Sequence, residues 1–336
     1  MSRIKTCVSL YSLQDEYLNK RMSFADIMRY VKSLGTEGIE ILPDQMLKGS
    51  PHITDEVLGE WNALVAETGL KPVIADVFLN TNLYKNRKLT RRECIDLLID
   101  EIIQANRLGI HLIRLVSMVP YWVIEPLLPY CEKYDVAIAI EIHAGMAFDV
   151  AETNAFIEEV KRLNSPYAGL VVDTGIFCRK LPRVVRNYEI SIGTSEGIFD
   201  YVDSLFAQGT DLHQVLRKSG GQYPEELKKE MKCEHDQISV PLLDGYENYP
   251  FEVLDDLIPY IKHFHLKMFE MTEEGPEYSM DYKALLTYLH DKGYDGYVAT
   301  EYEGNRFTLA GQPMKEKQQV AANQKYIQEC LKEIQG

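Results

Sequence analysis

The sequence contains no pair of cysteines with the CxxC spacing, although it has six cysteines in 336 residues. This absence excludes a zinc ribbon and a thioredoxin-like motif. A chain of this size needs no disulfides for stability, so we expect free thiols in a reducing cytoplasm. No apolar run approaches the ~18 residues that a membrane-spanning helix requires. The start, MSRIKTCVSLYSLQDEY, lacks the apolar core of a secretory signal, and we therefore expect a cytoplasmic protein.

Positive charge is also scarce. The chain has 36 Lys and Arg against 51 Asp and Glu, which gives a formal net charge of −15. Nucleic-acid binding depends on clustered Lys and Arg, and so does attraction to an anionic membrane surface. The composition therefore argues against both partners. With 46% hydrophobic and 26% charged residues, the chain has the composition of an ordinary folded protein.

Short apolar segments alternate with segments whose apolar residues recur at helical spacing. Helix start and stop signals, such as Thr54 and Gly69, separate them. No GxGxxG opens the first helix, which argues against the alternative of a doubly wound sheet. The pattern predicts eight strands, at Lys5–Ser12, Gly38–Pro43, Lys71–Leu79, His111–Ser117, Val136–His143, Ala168–Thr174, Ile261–Met268 and Gly296–Glu303.

Eight β/α units in a chain of this length predict an α/β fold, a (β/α)8 TIM barrel. We expect a single domain over residues 1–336, because no linker or change of composition divides the chain. A long insertion, residues 180–250, separates predicted strands six and seven. It contains helical patterns at Glu196–Gln208, Asp211–Lys218 and Pro224–Cys233. Insertions of this length are typical of lids and of partner-binding segments.

Four polar residues lie near the ends of the last four predicted strands, where a TIM barrel carries its active site. They are Glu141, Asp173, His265 and Glu301. Taken alone, each carboxylate could be an exposed strand end or an ion-pair partner, and His265 could be a hydrogen-bonded histidine of the strand. As a set of three carboxylates and one imidazole, they predict a divalent metal site, because buried charges require compensation. Mn²⁺, Mg²⁺, Co²⁺ and Zn²⁺ all suit this set, and its oxygen-rich character favours Mn²⁺. A six-coordinate ion would leave two positions for the substrate.

Two histidines accompany this set. Strand side chains alternate with period two, so His143 shares a face with Glu141. His143 could hydrogen-bond Glu141, or it could act as a general base beside the metal. His263 lies deeper in its strand and is expected to be structural.

Two cations also fall on these strands. Lys267 could form an ion pair with Glu303, or it could stabilise negative charge that develops on a substrate oxygen. Arg114 lies inside the fourth predicted strand. We expect it to pair with a buried carboxylate such as Glu40.

The ordered strings EIH, VVDTG, HFHLK and ATEYEG resemble the xylose isomerase-like TIM barrels, which include sugar (phosphate) isomerases and epimerases. The resemblance covers nearly the whole chain apart from the insertion. It implies that Glu141, Asp173, His265 and Glu301 bind the metal. It also implies carbon-acid chemistry beside a hydroxyl or carbonyl group of a sugar.

Within this group, the chain departs from the ketose 3-epimerases. These carry Glu, His and Arg where this sequence has Ala147, Ile176 and Met271. The chain resembles more closely the large subunit of bacterial C-glycoside deglycosidases, in its size, its EIHAG string and its long insertion. That resemblance implies a hetero-oligomer with a small β-rich partner subunit, and a 3-oxo-C-glycoside as substrate.

The implied reaction is a carbon–carbon lyase reaction. The 3-oxo group acidifies the C2 proton, which His143 would remove, and the enolate would expel the aromatic carbon at C1 by β-elimination. A divalent metal would stabilise the enolate as a Lewis acid. The alternative is a sugar isomerase or epimerase with two bases, for example Glu141 and Glu301. A third hypothesis is an inactive barrel that acts as a binding or regulatory subunit.

Overall fold

The computed structural model describes residues 3–116 and 119–336. Its eight strands pair in parallel, each with its neighbours in sequence, and β1 also pairs with β8, so that the barrel is closed. This confirms the predicted (β/α)8 TIM barrel. The strands are β1 (Lys5–Ser9), β2 (Gly38–Ile41), β3 (Lys71–Val77), β4 (Leu112–Leu115), β5 (Ala137–Ile142), β6 (Ala168–Asp173), β7 (Ile261–Met268) and β8 (Tyr297–Tyr302).

Helices surround the barrel and fill the segment between β6 and β7. The α-helices are α1 (Gln14–Leu18), α2 (Phe24–Ser33), α3 (Pro43–Met46), α4 (Asp55–Thr68), α5 (Arg91–Arg107), α6 (Ile124–Tyr134), α7 (Ala151–Leu163), α8 (Arg183–Ser191), α9 (Glu196–Ala207), α10 (Leu212–Lys218), α11 (Glu225–Glu230), α12 (Asp236–Leu242), α13 (Tyr282–Asp291) and α14 (Glu316–Gln335). Short 3₁₀ helices lie at Leu10–Leu13, Tyr121–Val123, Thr174–Ile176, Leu243–Gly245, Phe251–Leu254, Ile258–Tyr260 and Gly304–Phe307. Within the described residues, none of these helices combines the length and the apolar character needed to cross a membrane.

Local sequence signals set several helix ends. The Thr90 side chain accepts a hydrogen bond from the backbone N–H of Glu93, and the Glu93 side chain accepts one from Thr90, so that a capping box begins α5. Gly69 ends α4 in the left-handed conformation, with φ of 62°. These helix signals could be read directly from the sequence.

The predicted strands run too long at several ends. Predicted strand one, Lys5–Ser12, ends at Ser9 because a 3₁₀ turn begins at Leu10. Predicted strand two ends at Ile41, since Pro43 opens α3, a position where the missing N–H of proline costs nothing. Predicted strand four, His111–Ser117, is observed as Leu112–Leu115, and Ser117 lies outside the described residues.

The inward-facing side chains of the barrel form layers. Near the bottom, an apolar layer fills the interior with Ile74, Leu112, Ala139 and Val171, all buried. Because strand side chains alternate, the next inward residues lie two positions further along each strand. They are charged: Asp76, Arg114, Glu141 and Asp173. The strand register therefore places a buried charged layer directly above an apolar one.

The long segment between β6 and β7 folds back onto the barrel. Its last part lies beside the segment that follows β6: the N–H of Cys178 donates to the carbonyl of Glu247 at 2.8 Å, and that of Tyr249 to the carbonyl of Ile176 at 2.9 Å. The predicted helices of this segment are present as α9, α10 and a shorter α11. The sequence prediction missed α8 and α12.

Candidate active site

The structure brings the four predicted metal ligands together at the carboxyl ends of β5 to β8. One ligand atom from each of Glu141, Asp173, His265 and Glu301 lies within 4.8 Å of every other, and all four residues are buried. The strand register explains this proximity, because Asp173 pairs with His265 between β6 and β7. Three carboxylates and one imidazole are a suitable donor set for a hard or borderline divalent cation.

His265 is held by carboxylates at both ring nitrogens. Its Nε2 lies 2.8 Å from Oε2 of Glu40, and its Nδ1 lies 3.0 Å from Oε1 of Glu141. Burial lowers the pKa of His265, but Glu301 and Glu40 outweigh this effect and raise it well above its ordinary value. A hydrogen bond from Nε2 to Glu40 would leave Nδ1 facing the carboxylates, which is the orientation that a metal-ligating histidine needs.

Arg114 pairs with buried carboxylates, as predicted, but Glu40 is not one of them. The Arg114 Nε lies 2.6 Å from Oδ1 of Asp76, and its Nη1 lies 2.7 Å from Glu141 and 3.2 Å from Glu301. Asp76 lies directly beside Arg114 in the pairing of β3 with β4, so it is closer than Glu40 on β2. Sequence reasoning thus missed Arg114 as a member of the site, although its inward position beside β5 could have indicated it.

Lys267 bridges the site and its rim. Its Nζ lies 2.7 Å from Asp173 and 2.6 Å from Glu301, two members of the predicted ligand set. It also lies 2.9 Å from Glu303, which is the ion pair considered from the sequence. Burial lowers the pKa of Lys267, but the carboxylates of Asp173 and Glu301 outweigh this effect, so that the pKa lies well above its ordinary value. The ammonium group therefore stays charged.

The charge balance of this layer favours a bound cation. Two permanent cations, Arg114 and Lys267, are surrounded by a larger number of buried carboxyl groups, namely Glu40, Asp76, Glu141, Asp173 and Glu301. Even with His265 also charged and one carboxyl group protonated, four carboxylates outnumber three cations. A divalent ion at the four predicted ligands would supply the missing positive charge, so these residues fit such an ion.

A second group of possible ligands lies beneath the first. Glu40 and His263 are fully buried, and together with His265 they place three ligand atoms within 4.8 Å of one another. The Nε2 of His263 lies 3.3 Å from Oε2 of Glu40. Because His265 belongs to both groups and its Nε2 faces Glu40, the lower group can position His265 for the upper one.

His143 lies just past the end of β5 and lines the same cavity as Glu141. Its Nδ1 is 2.7 Å from the carbonyl oxygen of Ala144. Since a carbonyl can only accept, Nδ1 is the donor, and in the neutral ring Nε2 is then a free base. The next backbone N–H, that of Gly145, donates to Oε1 of Glu247 at 2.5 Å, which ties this loop to the segment between β6 and β7.

A cavity of about 440 Å³ opens above the charged layer. Its charged floor consists of Arg114, Glu141, Asp173, Lys267 and Glu301. Its aromatic wall consists of Tyr246, Phe269 and Phe307, with ring centroids 5.6 Å apart between Tyr246 and Phe269 and 6.4 Å apart between Phe269 and Phe307. Sequence reasoning did not find the wall, because none of its residues belongs to a motif.

Comparison with known proteins agrees with this fold. Residues 28–180 match the family model of the xylose isomerase-like TIM barrel. The resemblance to that family is confirmed. The structure of this chain also superposes on that of the IOLI protein with a bound zinc atom. The TM-score is 0.59 and the identity 14%, with 98% of this chain and 99% of that chain covered.

Two of the curated relatives illustrate a similarity that extends over most of this chain. The 3'-dehydrocarminate deglycosidase alpha subunit of Microbacterium sp. is 27% identical over 92% of this chain and 90% of its own length. A C-glycoside deglycosidase alpha subunit of Arthrobacter globiformis is 26% identical over 88% of this chain and 83% of its own length. The chain is therefore similar to deglycosidase subunits as well as to the wider family.

The three positions at which the sequence is expected to depart from the ketose 3-epimerases are filled by apolar side chains. Ala147, Ile176 and Met271 are all buried and belong to the hydrophobic core. None of them can supply the carboxylate, imidazole or guanidinium group that the epimerases have there. These three buried positions thus carry no titratable group in this chain.

Proposed function

We propose that this chain is the metal-dependent catalytic subunit of a C-glycoside deglycosidase, a carbon–carbon lyase that acts on 3-oxo-C-glycosides. The observation that carries the proposal is the similarity, over about nine-tenths of the chain, to relatives named as deglycosidase alpha subunits. The cavity supports it, because a charged floor suits a sugar and an aromatic wall suits an aromatic aglycone.

The metal would be held by Glu141, Asp173, His265 and Glu301. Mn²⁺ is our first choice, since three of the four donors are carboxylates. When bound, the ion would supply Lewis-acid stabilisation of negative charge on a substrate oxygen. Arg114 contacts two of these carboxylates and would hold them in position.

The protein groups would act on the sugar as follows. Nε2 of His143 takes the proton from C2, and the electron pair of that C–H bond forms an enolate with the 3-oxo group. Lys267 stabilises the negative oxygen, alongside its contacts with Asp173 and Glu301. The enolate then reforms the C3 carbonyl and makes a C1=C2 double bond. The C1–aryl bond breaks with its electron pair leaving on the aryl carbon, which takes up a proton.

A partner subunit is part of the proposal, because the relatives are named alpha subunits. The described residues include eight exposed large hydrophobic side chains, and two of them, Phe78 and Leu242, line the cavity. The eight are Leu18, Phe78, Leu83, Tyr84, Tyr121, Ile192, Ile238 and Leu242. This distribution supports a small β-rich partner that covers the mouth of the barrel in a hetero-oligomer.

We also propose that residues 1–336 fold as one domain in the cytoplasm, with residues 180–250 as an insertion that closes one side of the cavity. Contacts of Glu247 with Gly145 and Cys178 support this arrangement, because they join the insertion to the ends of β5 and β6. The free thiols of all six cysteines are compatible with a reducing compartment.

An assay with two substrate classes tests the function. The protein, with and without its partner subunit, is incubated with a 3-oxo-C-glycoside such as 3-oxo-puerarin and, separately, with free ketoses. We expect release of the aglycone that stops with EDTA and returns with Mn²⁺. New sugar isomers without aglycone release would indicate an isomerase or epimerase. Absence of both reactions, with a melting temperature that EDTA does not change, would indicate a binding subunit.

A further inference from the structure

The aromatic wall is completed by the turn that follows β8. Phe307 in this turn lies between two rings: its centroid is 6.4 Å from that of Phe269 and 5.8 Å from that of Tyr188 on α8. Phe269 in turn packs against Tyr246. Of these four rings, those of Tyr246, Phe269 and Phe307 line the cavity, where they can accept a flat aromatic ligand by stacking.

The same turn is fixed in place. A Cβ atom on Gly304 would lie 2.0 Å from the carbonyl oxygen of Phe269, so only glycine allows this close approach of two backbones. The buried Asn305 donates from Nδ2 to Asp15 at 2.8 Å. These contacts fix the position of Arg306, whose side chain lines the cavity next to Phe307.

Arg306 differs from the other two cations that line the cavity. Arg114 lies within 4.0 Å of three carboxylates, and Lys267 also contacts three. In the described part of the chain, Arg306 is within 4.0 Å of one carboxylate, Glu303 at 3.4 Å, and Lys267 shares that group. Its side chain is 56% exposed, so several N–H donors are available to a ligand.

The remaining partner of Arg306 is neutral. Arg306 donates from Nη2 to the hydroxyl oxygen of Tyr11, and its guanidinium carbon lies 5.5 Å from the centre of that ring. Burial and the Glu303 carboxylate raise the pKa of Tyr11 to about 12, so the phenol keeps its proton. Tyr11 thus orients the guanidinium group without neutralising its charge.

We propose that Arg306 binds an ionised oxygen of an aromatic ligand whose ring stacks on Phe307. The inference rests on the proposed function, because it assigns this half of the cavity to the aglycone of a C-glycoside. It names the aglycone class: an aromatic ring that carries a phenolate or carboxylate group. A guanidinium group presents a planar set of donors that matches either anion.

A phenolate would also help the cleavage. An ionised oxygen ortho to the glycosidic carbon makes that ring carbon electron-rich, so that the carbon can accept a proton while the C1–aryl bond is intact. When the bond breaks, its electron pair returns to the ring and restores the aromatic phenolate, while the enolate forms the C1=C2 double bond and the C3 carbonyl. No oxidant or reductant is consumed. Arg306 would favour the ionised form at neutral pH.

Binding of small aromatic probes tests this site without any turnover. The probes are 4-nitrophenolate, 4-nitrobenzoate and the uncharged 4-nitroanisole, titrated into the protein and, where it is obtained, its complex. We expect Arg306→Gln to weaken binding of at least one anion by about tenfold or more, the value typical of a charge-assisted hydrogen bond. Binding of 4-nitroanisole should change little. The anion with the larger loss identifies the group that is recognised.

The controls separate this site from general effects. Arg29→Gln removes a comparable exposed arginine, which pairs with Glu67 on the outside of the barrel, and it should leave all probes unaffected. Unchanged anion binding in Arg306→Gln, an equal loss for all three probes, or no anion binding by the unaltered protein would each overturn the inference. Arg306-dependent anion binding without aglycone release would support the anion site and would contradict the deglycosidase function.

Discussion

The floor and the wall of the cavity are built in different ways. The floor comes from side chains on adjacent strands, and the register of the sheet places them within a few ångströms of one another. The wall comes from Tyr246 before β7, Phe269 just after it and Phe307 after β8, and its rings meet through contacts between loops. The floor consists of charged side chains, whereas the wall consists of aromatic rings.

This difference suggests a division of roles. A rigid barrel suits groups that must hold an ion and a base at fixed distances, because small errors in position are costly for catalysis. Loops suit the part of a site that selects a ligand, since they can vary without disturbing the barrel. We therefore expect changes in the floor to affect the rate of reaction and changes in the wall to affect substrate binding.

The largest effect is expected from Glu141→Gln in the floor. It removes one of the three carboxylates that would hold the metal, so metal content should fall and activity should drop by at least ~10³-fold. Metal analysis of the purified variant and an aglycone-release assay measure both. Glu303→Gln is the matched control, because Glu303 lines the same cavity outside the ligand set and should leave the metal bound. Full metal content in Glu141→Gln would remove Glu141 from the ligand set.

His143→Ala should lower the rate without loss of the metal. Its Nδ1 already donates to Ala144, so the side chain contributes Nε2 as a base and makes no contact that the ligand set depends on. Loss of a general base typically costs ~10²–10⁴-fold in rate. The assay is steady-state kinetics together with metal analysis. A variant that keeps more than about a tenth of the rate would exclude His143 as the base.

A smaller effect is expected in the wall. Phe307→Leu keeps an apolar side chain but removes aromatic contacts, each worth about 0.5–1.5 kcal/mol, so KM should rise about three- to tenfold. The maximal rate and the metal content should change little. Steady-state kinetics with an aromatic C-glycoside measure this difference. A fall in kcat with an unchanged KM would show that the division between floor and wall is wrong.

The smallest effect concerns the attachment of the insertion. His213 on α10 lies 2.9 Å from Asp244 and 2.6 Å from Asp149 in the loop after β5. The hydrogen bond with Asp244 raises the pKa of His213 above its ordinary value of 6.5, although burial opposes this. The protonated form is thus favoured in the folded state. Its stabilisation is full below 6.5 and is lost as the pH rises through the raised pKa.

His213→Gln should therefore lower the free energy of unfolding by about 1–2 kcal/mol at about pH 6, and by less at alkaline pH. The melting temperature should fall accordingly. Thermal denaturation of both proteins across this range is the measurement. A destabilisation that is constant with pH, or that grows as the pH rises, would show that His213 is neutral in the folded protein.

Sequence patterns predicted the floor because it depends on local periodicity. Alternation along each strand, together with the rule that TIM-barrel sites lie at the carboxyl ends of strands, was enough to select Glu141, Asp173, His265 and Glu301. The same periodicity also gave the eight strands. Their ends were less accurate, as at Ser9 and Ile41, because helical turns begin there within apolar sequence.

Other features depend on contacts between distant parts of the chain. Whether Arg114 contacts Asp76 or Glu40 depends on which carboxylate the register of the neighbouring strand places beside it. The wall depends on how the insertion packs. The helices α8 and α12 were missed because each buries only one apolar side chain, Val185 and Val240, so neither has a regular apolar stripe. Neither feature has a local signal, so neither could be derived from one sequence.

The central claim is that four side chains bind one divalent ion. The most direct test is a crystal structure of the protein with Mn²⁺, in which the ion is located by its anomalous scattering. We predict one ion per chain, in contact with Glu141, Asp173, His265 and Glu301. An ion held instead by Glu40, His263 and His265, or no ion near either group at saturating Mn²⁺, would contradict the account.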